Sequence, residues 1–167
     1  MSLAFVLCGC AVQVSEKAIS SFSVNAGVTF KNFKYECAVV YNGSSVTLSA
    51  QSTSAAGLVL AYDGKTVGIT YDDISLAQIN KNFAPSNPAV ALYEAFACVN
   101  AMPESEISTI KNGYRAEGET SLGAFTLETD SDFNPVSLVF ESSGLSFEFY
   151  WERSEERRVG KECRSRW

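Results

Sequence analysis

Between Phe33 and Tyr41 every second residue is apolar or aromatic: Phe33, Tyr35, Cys37, Val39 and Tyr41 fall on one side of an extended chain. The run stops at Asn42-Gly43, the dipeptide best suited to a tight hairpin turn, and Val46, Leu48 and Ala50 return with the same period. No other feature confines the chain as much, because a period of two wrapped onto a helix would scatter its apolar residues around the surface. The unit recurs. Phe22, Val24 and Ala26 alternate before it, with Val28 and Phe30 resuming after Gly27, where a bend or bulge is expected. After the polar stretch from Gln51 to Ala56 and Gly57, Leu58, Leu60 and Tyr62 run to Asp63-Gly64, and Val67, Ile69 and Tyr71 come back. Two consecutive hairpins of matched alternation make an antiparallel sheet with one apolar face, and such a face must be covered.

The cover is expected to be helical. Leu76, Ile79 and Phe83 stand at helical spacing behind Ser75, with Asp72 and Asp73 as turn residues capping that helix. Asn87-Pro88 is a cap followed by a proline at the first helical position, and Val90, Leu92, Tyr93, Phe96, Ala97 and Val99 give a broad apolar side that ends at Met102-Pro103. Pro103 opens a further short helical turn through Ile107 and Ile110, with the acids of "PESE" at its start and Asn112-Gly113 as its stop. Strands resume over Tyr114 to Glu119 and Gly123 to Thr129. After a turn at "DSDFNP", Val136, Leu138 and Phe140 pair with Leu145, Phe147 and Phe149 through Ser143-Gly144. Strands, then helices, then strands specify an α+β fold: an antiparallel sheet with helices packed on one side.

With 167 residues, one domain is expected. The formal net charge is −6, and six of the basic residues (Arg153, Arg157, Arg158, Lys161, Arg164 and Arg166) crowd into the last fifteen positions, so the body is more acidic still. An acidic body without a Lys/Arg cluster is a poor partner for nucleic acid, whose affinity comes from cations that release counterions. Histidine is absent, which removes the commonest general base near neutral pH and the commonest metal ligand. The serines lack a G-x-S-x-G elbow and no glycine loop cradles a phosphate. "DSDFN" begins like a calcium loop, but Pro135 replaces the required glycine and no closing glutamate follows, so Asp130, Asp132 and Asn134 read as a turn. No cofactor, metal or catalytic residue is expected.

Five cysteines divide by position. Cys37 and Cys98 lie inside the body and read equally as a disulfide in an extracytoplasmic compartment or as two small packed hydrophobes. Cys163 belongs to "RSEERRVGKECRSRW", which breaks abruptly from the body and looks like a vector- or adapter-derived read-through, so 152–167 is set aside from the fold. At the other end Leu3 to Leu7 is an apolar run, and Leu7-Cys8-Gly9-Cys10 resembles the bacterial lipobox, with Cys10 in the lipidated position. A Cys8–Cys10 disulfide would close too small a ring. The resulting division is 1–10 as a truncated lipoprotein signal, 11–21 as a tether and 22–151 as the domain.

The stretches "SAQSTSAAGLVLAYDGKTVGITYDDI" and "ETDSDFNPVSLVFESSGLSFEF", with a helical plug between them, resemble the LolA/LolB-type lipoprotein-carrier fold, in particular its small Gram-positive lipoprotein versions. The resemblance implies a strongly curved, unclosed half-barrel whose concave apolar face, under helices, receives acyl chains. It implies a hydrophobic ligand face drawn from Phe30, Tyr35, Val39, Leu48, Leu60, Tyr62, Ile69, Tyr93, Phe96, Phe140 and Phe147. With Cys10 lipidated, the expectation is a non-enzymatic, extracytoplasmic protein held at the cell membrane of a bacterium, binding an acyl chain or a lipidated partner. The alternative is an interaction module whose filled core leaves no lipid cavity and whose loops or sheet edge bind another envelope protein.

Overall fold

In the computed structural model, which describes residues 18–79 and 86–151, the alternating runs form eleven strands of a single sheet. The first half is a meander: β1 (Phe22–Phe30), β2 (Phe33–Tyr41), β3 (Val46–Ala50), β4 (Leu58–Tyr62), β5 (Thr66–Tyr71) and β6 (Ile74–Ile79). The helix α1 (Pro88–Ala101) follows, then a second meander of β7 (Ser108–Ile110), β8 (Gly113–Thr120), β9 (Gly123–Thr129), β10 (Pro135–Phe140) and β11 (Leu145–Tyr150). The sheet order is β6-β5-β4-β3-β2-β1-β11-β10-β9-β8-β7, so the first and last strands zip the meanders together in mid-sheet. At that antiparallel seam Ala26 pairs with Phe149, Val28 with Phe147 and Phe30 with Leu145. The edges are β6 and β7; the sheet is not closed.

The hairpin chemistry read from the sequence is realised. The Asn42 side chain accepts the N–H groups of Ser44 and Ser45 at 2.9 and 2.7 Å, and Asp63 accepts those of Lys65 and Thr66 at 2.9 and 2.7 Å. Gly64 sits at φ +84° with the Tyr93 hydroxyl so near that a Cβ would lie 2.6 Å from it. At Gly113 an added Cβ would overlap the Thr129 carbonyl oxygen. In "DSDFN" the Asp130 carboxylate accepts from the Asp132 and Asn134 N–H groups and the Asn134 amide, all at 2.9–3.0 Å, which occupies it as a turn residue.

α1 begins as expected, with the Asn87 side chain accepting the Ala89 N–H at 2.9 Å and Pro88 in its first turn. Buried residues on nearly every side (Ala89, Val90, Leu92, Ala95, Phe96 and Val99 among them) make it a core helix rather than a surface one. It packs against β3 and β4 on one side and β8 on the other. A flat sheet would hold β4 and β8 seven strand spacings apart, about 33 Å, whereas a helix of this length spans about 20 Å. One helix reaches both because the sheet curls around it.

Several expectations are corrected. The helix expected over Leu76, Ile79 and Phe83 is instead strand β6, paired along its length with β5 from Thr66↔Ile79 to Tyr71↔Ile74; Phe83 lies outside the described residues. Leu76 and Ile79 are three apart, which mimics a helix, but the turn at Asp72-Asp73 reverses the chain, with Asp72 at φ +49°. Those two aspartates therefore serve a hairpin, not a helix cap. Among the described residues one α-helix packs on the sheet instead of several. Beyond Pro103 only a 3-10 turn at Glu104–Glu106 forms before the chain enters edge strand β7. No bulge interrupts β1 at Gly27, where pairing is continuous on both sides. The irregularity falls instead between Pro135 and Ser137, which turns Val136 outward while Leu138 and Phe140 stay buried. Ile19, expected in the tether, is buried and ties to α1: its N–H donates to the Asn100 side chain at 2.7 Å. Cys10 and the tail after Trp151 lie outside the described residues.

Candidate functional site

Antiparallel register sorts the inner-face residues of the first meander into lateral rows. One row runs Cys37, Ala50, Leu58, Tyr71, Ile74; the next Val39, Leu48, Leu60, Ile69, Leu76; the third Tyr41, Val46, Tyr62, Val67. Every described member of the third row is buried under α1, where Tyr62 meets Tyr93 edge-on at 5.1 Å. Along the first two rows burial fades toward the edge. Cys37 and Val39 are wholly buried, Leu58, Leu60 and Ile69 half-buried, and Tyr71, Leu76 and Ile74 are 44, 53 and 75% exposed. The result is an apolar ledge on the inner face of β4, β5 and β6.

Exposed apolar residues scattered singly on a surface carry no message, but a contiguous set does. Of the seven large exposed hydrophobics among the described residues, Val40, Val136 and Tyr150 stand apart on the outer face. Tyr71, Ile74 and Leu76 are joined on the ledge, and Phe33 lies on the same inner face at the β1–β2 turn, its ring 5.7 Å from Tyr35.

α1 is pinned away from the ledge, to the N-terminal segment and β2 on one side and to the β8–β9 turn on the other. The Asn100 amide donates to the Ile19 carbonyl and the Tyr41 hydroxyl, both at 3.3 Å, and the Glu94 carboxylate accepts from the Ser121 hydroxyl at 2.6 Å and its N–H at 3.1 Å. Phe96 fills the centre against Phe22, Tyr41 and Phe149. Burial favours the neutral form of three groups on the inner face: it pushes the Cys37 thiol up to about 12. It also drives the Tyr35 phenol above its ordinary range, with Cys37 adding to the effect. The Tyr41 phenol rises through burial and the neighbouring Tyr93, partly offset by the hydrogen bond from Asn100. An uncharged surface of this kind suits hydrocarbon. No group of three or more His, Cys, Asp or Glu able to hold a metal occurs among the described residues.

The eleven ligand-face residues named from the sequence divide three ways. Val39, Leu48, Phe96, Phe140 and Phe147 are sealed in the core, with Tyr62 nearly so. Phe30, Tyr35 and Tyr93 are half-buried around it. Leu60 and Ile69 lie on the ledge. Leu58 and Tyr71, which the sequence places on strands, complete it with Ile74 and Leu76, whose signal is the alternation Ile74, Leu76 after an Asp-Asp turn. Cys37 and Cys98 are free thiols in the structure, the first buried and the second half-buried.

No family model and no curated protein matches the sequence. Among solved structures the chain is similar to the LolA superfamily protein NE2245 from Nitrosomonas europaea. The TM-score is 0.41 at 10% identity, with 82% of this chain and 89% of that chain covered. The chemistry of the site rests on the ledge itself.

Proposed function

We propose that the chain is a non-enzymatic bacterial envelope lipoprotein, anchored outside the cytoplasm through Cys10, whose ledge binds an acyl chain or the lipid of a lipidated partner. The observation that carries the reading is the in-register exposure of Tyr71, Ile74 and Leu76 beside half-buried Leu58, Leu60 and Ile69. Each methylene of an acyl chain contributes up to about 0.8 kcal/mol when fully buried, and the ledge residues carry no charge to desolvate. The lipobox-like Leu7-Cys8-Gly9-Cys10 supports the anchor.

Protein purified without detergent should carry lipid in native mass spectrometry, and a hydrophobic dye should bind and be displaced by a fatty acid. Ile74→Asp and Leu76→Asp should each weaken dye binding at least about tenfold with the far-ultraviolet circular dichroism unchanged. Cys10→Ser in cells should move the protein from the membrane to the soluble fraction; unchanged partitioning rejects the anchor. A chain without co-purified lipid or a dye site would instead support the second reading, an interaction module, which the sealing of Phe96, Phe140 and Phe147 favours.

A further inference from the structure

The two sheet edges are finished differently. β7 is only three residues long, and shortness is a usual protection of a free edge. β6 is twice that length, reads Ile-Ser-Leu-Ala-Gln-Ile, and has no proline and no charge. It is terminal in the sheet, so one row of its backbone N–H and C=O groups has no strand partner among the described residues. Its residues 74–77 are exposed on both faces. An open edge of six residues without charge or proline is a template for another strand.

We infer that β6 pairs antiparallel with β6 of a second copy of this chain, about a two-fold axis through Leu76. The pleat admits only pairings that keep inner residues opposite inner residues, and of these we take the one that sets Leu76 opposite Leu76. Centred on Leu76, the row Leu48, Leu60, Ile69, Leu76 continues into Leu76, Ile69 and Leu60 of the second copy, and Ile74 of each chain joins the shared apolar surface. On the outer face Ser75 comes opposite Ala77 of the second copy. The acids that precede β6, Asp72 and Asp73, fall at opposite ends of the paired ribbon. They lie about 24 Å apart by strand rise, well beyond the roughly 8 Å screening length of physiological salt. A second copy thus meets no like charge and carries the matching apolar row, which an arbitrary extended peptide does not. An interface built on one six-residue strand belongs to the small, concentration-dependent class.

The inference does not depend on lipid binding, and the test separates the two. Sedimentation equilibrium of the full chain should show a monomer–dimer equilibrium with dimer dominant at high micromolar concentration. Ser75→Lys/Ala77→Lys sets lysines opposite lysines on the outer face without touching the ledge, and should weaken the dimer at least about tenfold while dye binding persists. Ser75→Glu/Ala77→Glu should do the same alone, and an equimolar mixture of the two variants should recover a heterodimer. That rescue also shows that both variants fold. A wild-type chain that stays monomeric, a dimer indifferent to the lysine pair, or variants that do not restore each other overturns the inference. Association only with an added extended peptide would likewise overturn it.

Discussion

The wing formed by β8 to β11 and the wing formed by β4 to β6 are written in the same alternation, yet one is core and the other is surface. On the first, Leu127, Leu138, Phe140, Leu145 and Phe147 are fully buried. On the second, apolar residues of the same inner face emerge row by row until Ile74 stands three-quarters exposed. The difference lies not in the strands but in what covers them: α1, Ile107 and Phe133 lie over one wing, while on the other α1 covers β3, β4 and Val67 of β5 and leaves Tyr71, Ile74 and Leu76 exposed. Alternation therefore announces an apolar face without saying whether protein or a ligand completes it.

Truncation should expose this asymmetry most strongly. Phe140→Ala removes a ring packed on Phe125 at 5.8 Å and should cost about 3–5 kcal/mol in chemical denaturation, whereas Leu76→Ala should stay within about 0.5 kcal/mol. Equal losses at both positions would mean that the ledge is covered core.

Alkaline titration probes the border between the wings, where Cys37 begins the first row. Its folded pKa of about 12 lies above that of the exposed thiol, so the unfolded chain releases its proton first. The stability this group contributes is intact below about pH 8.5 and declines as pH rises toward 12. Tyr35, also raised, adds the same direction of change above its ordinary value. Cys37→Ala should therefore flatten the fall in denaturation midpoint between pH 9 and 11, read relative to neutral pH. An unaltered slope would assign the loss to the tyrosines alone.

The smallest effect belongs to the open wing's turn. Asp72 adopts φ +49°, a region glycine enters without steric cost, and its side chain is exposed. Asp72→Gly should change stability by no more than about 1 kcal/mol, in the stabilising direction, with ledge binding unaltered. A loss of dye binding would show that the turn carboxylate belongs to the site.

Much of this was legible. Asn42-Gly43, Asp63-Gly64, Ser143-Gly144 and Asn87-Pro88 each marked its turn or cap, because the backbone conformations they require are local and favour those residue types. Two places misled for equally local reasons: Leu76 and Ile79 satisfied both a helical and an extended reading, and the irregularity after Pro135 shifted Val136 off the face its parity implied. The ledge was only half readable, through Leu60 and Ile69.

The sequence by itself determined nine of the eleven strands, most of their turns, the inner face and the start of the plugging helix, since these follow from side-chain period and backbone preference within a few residues. The tertiary structure alone decided that β1 and β11 meet in mid-sheet. It also decided that one helix spans the curled sheet and that its reach ends before β6. Burial is a property of what lies opposite, and what lies opposite Ile74 and Leu76 is set by where α1 is pinned through Asn100 and Glu94, far away in the chain.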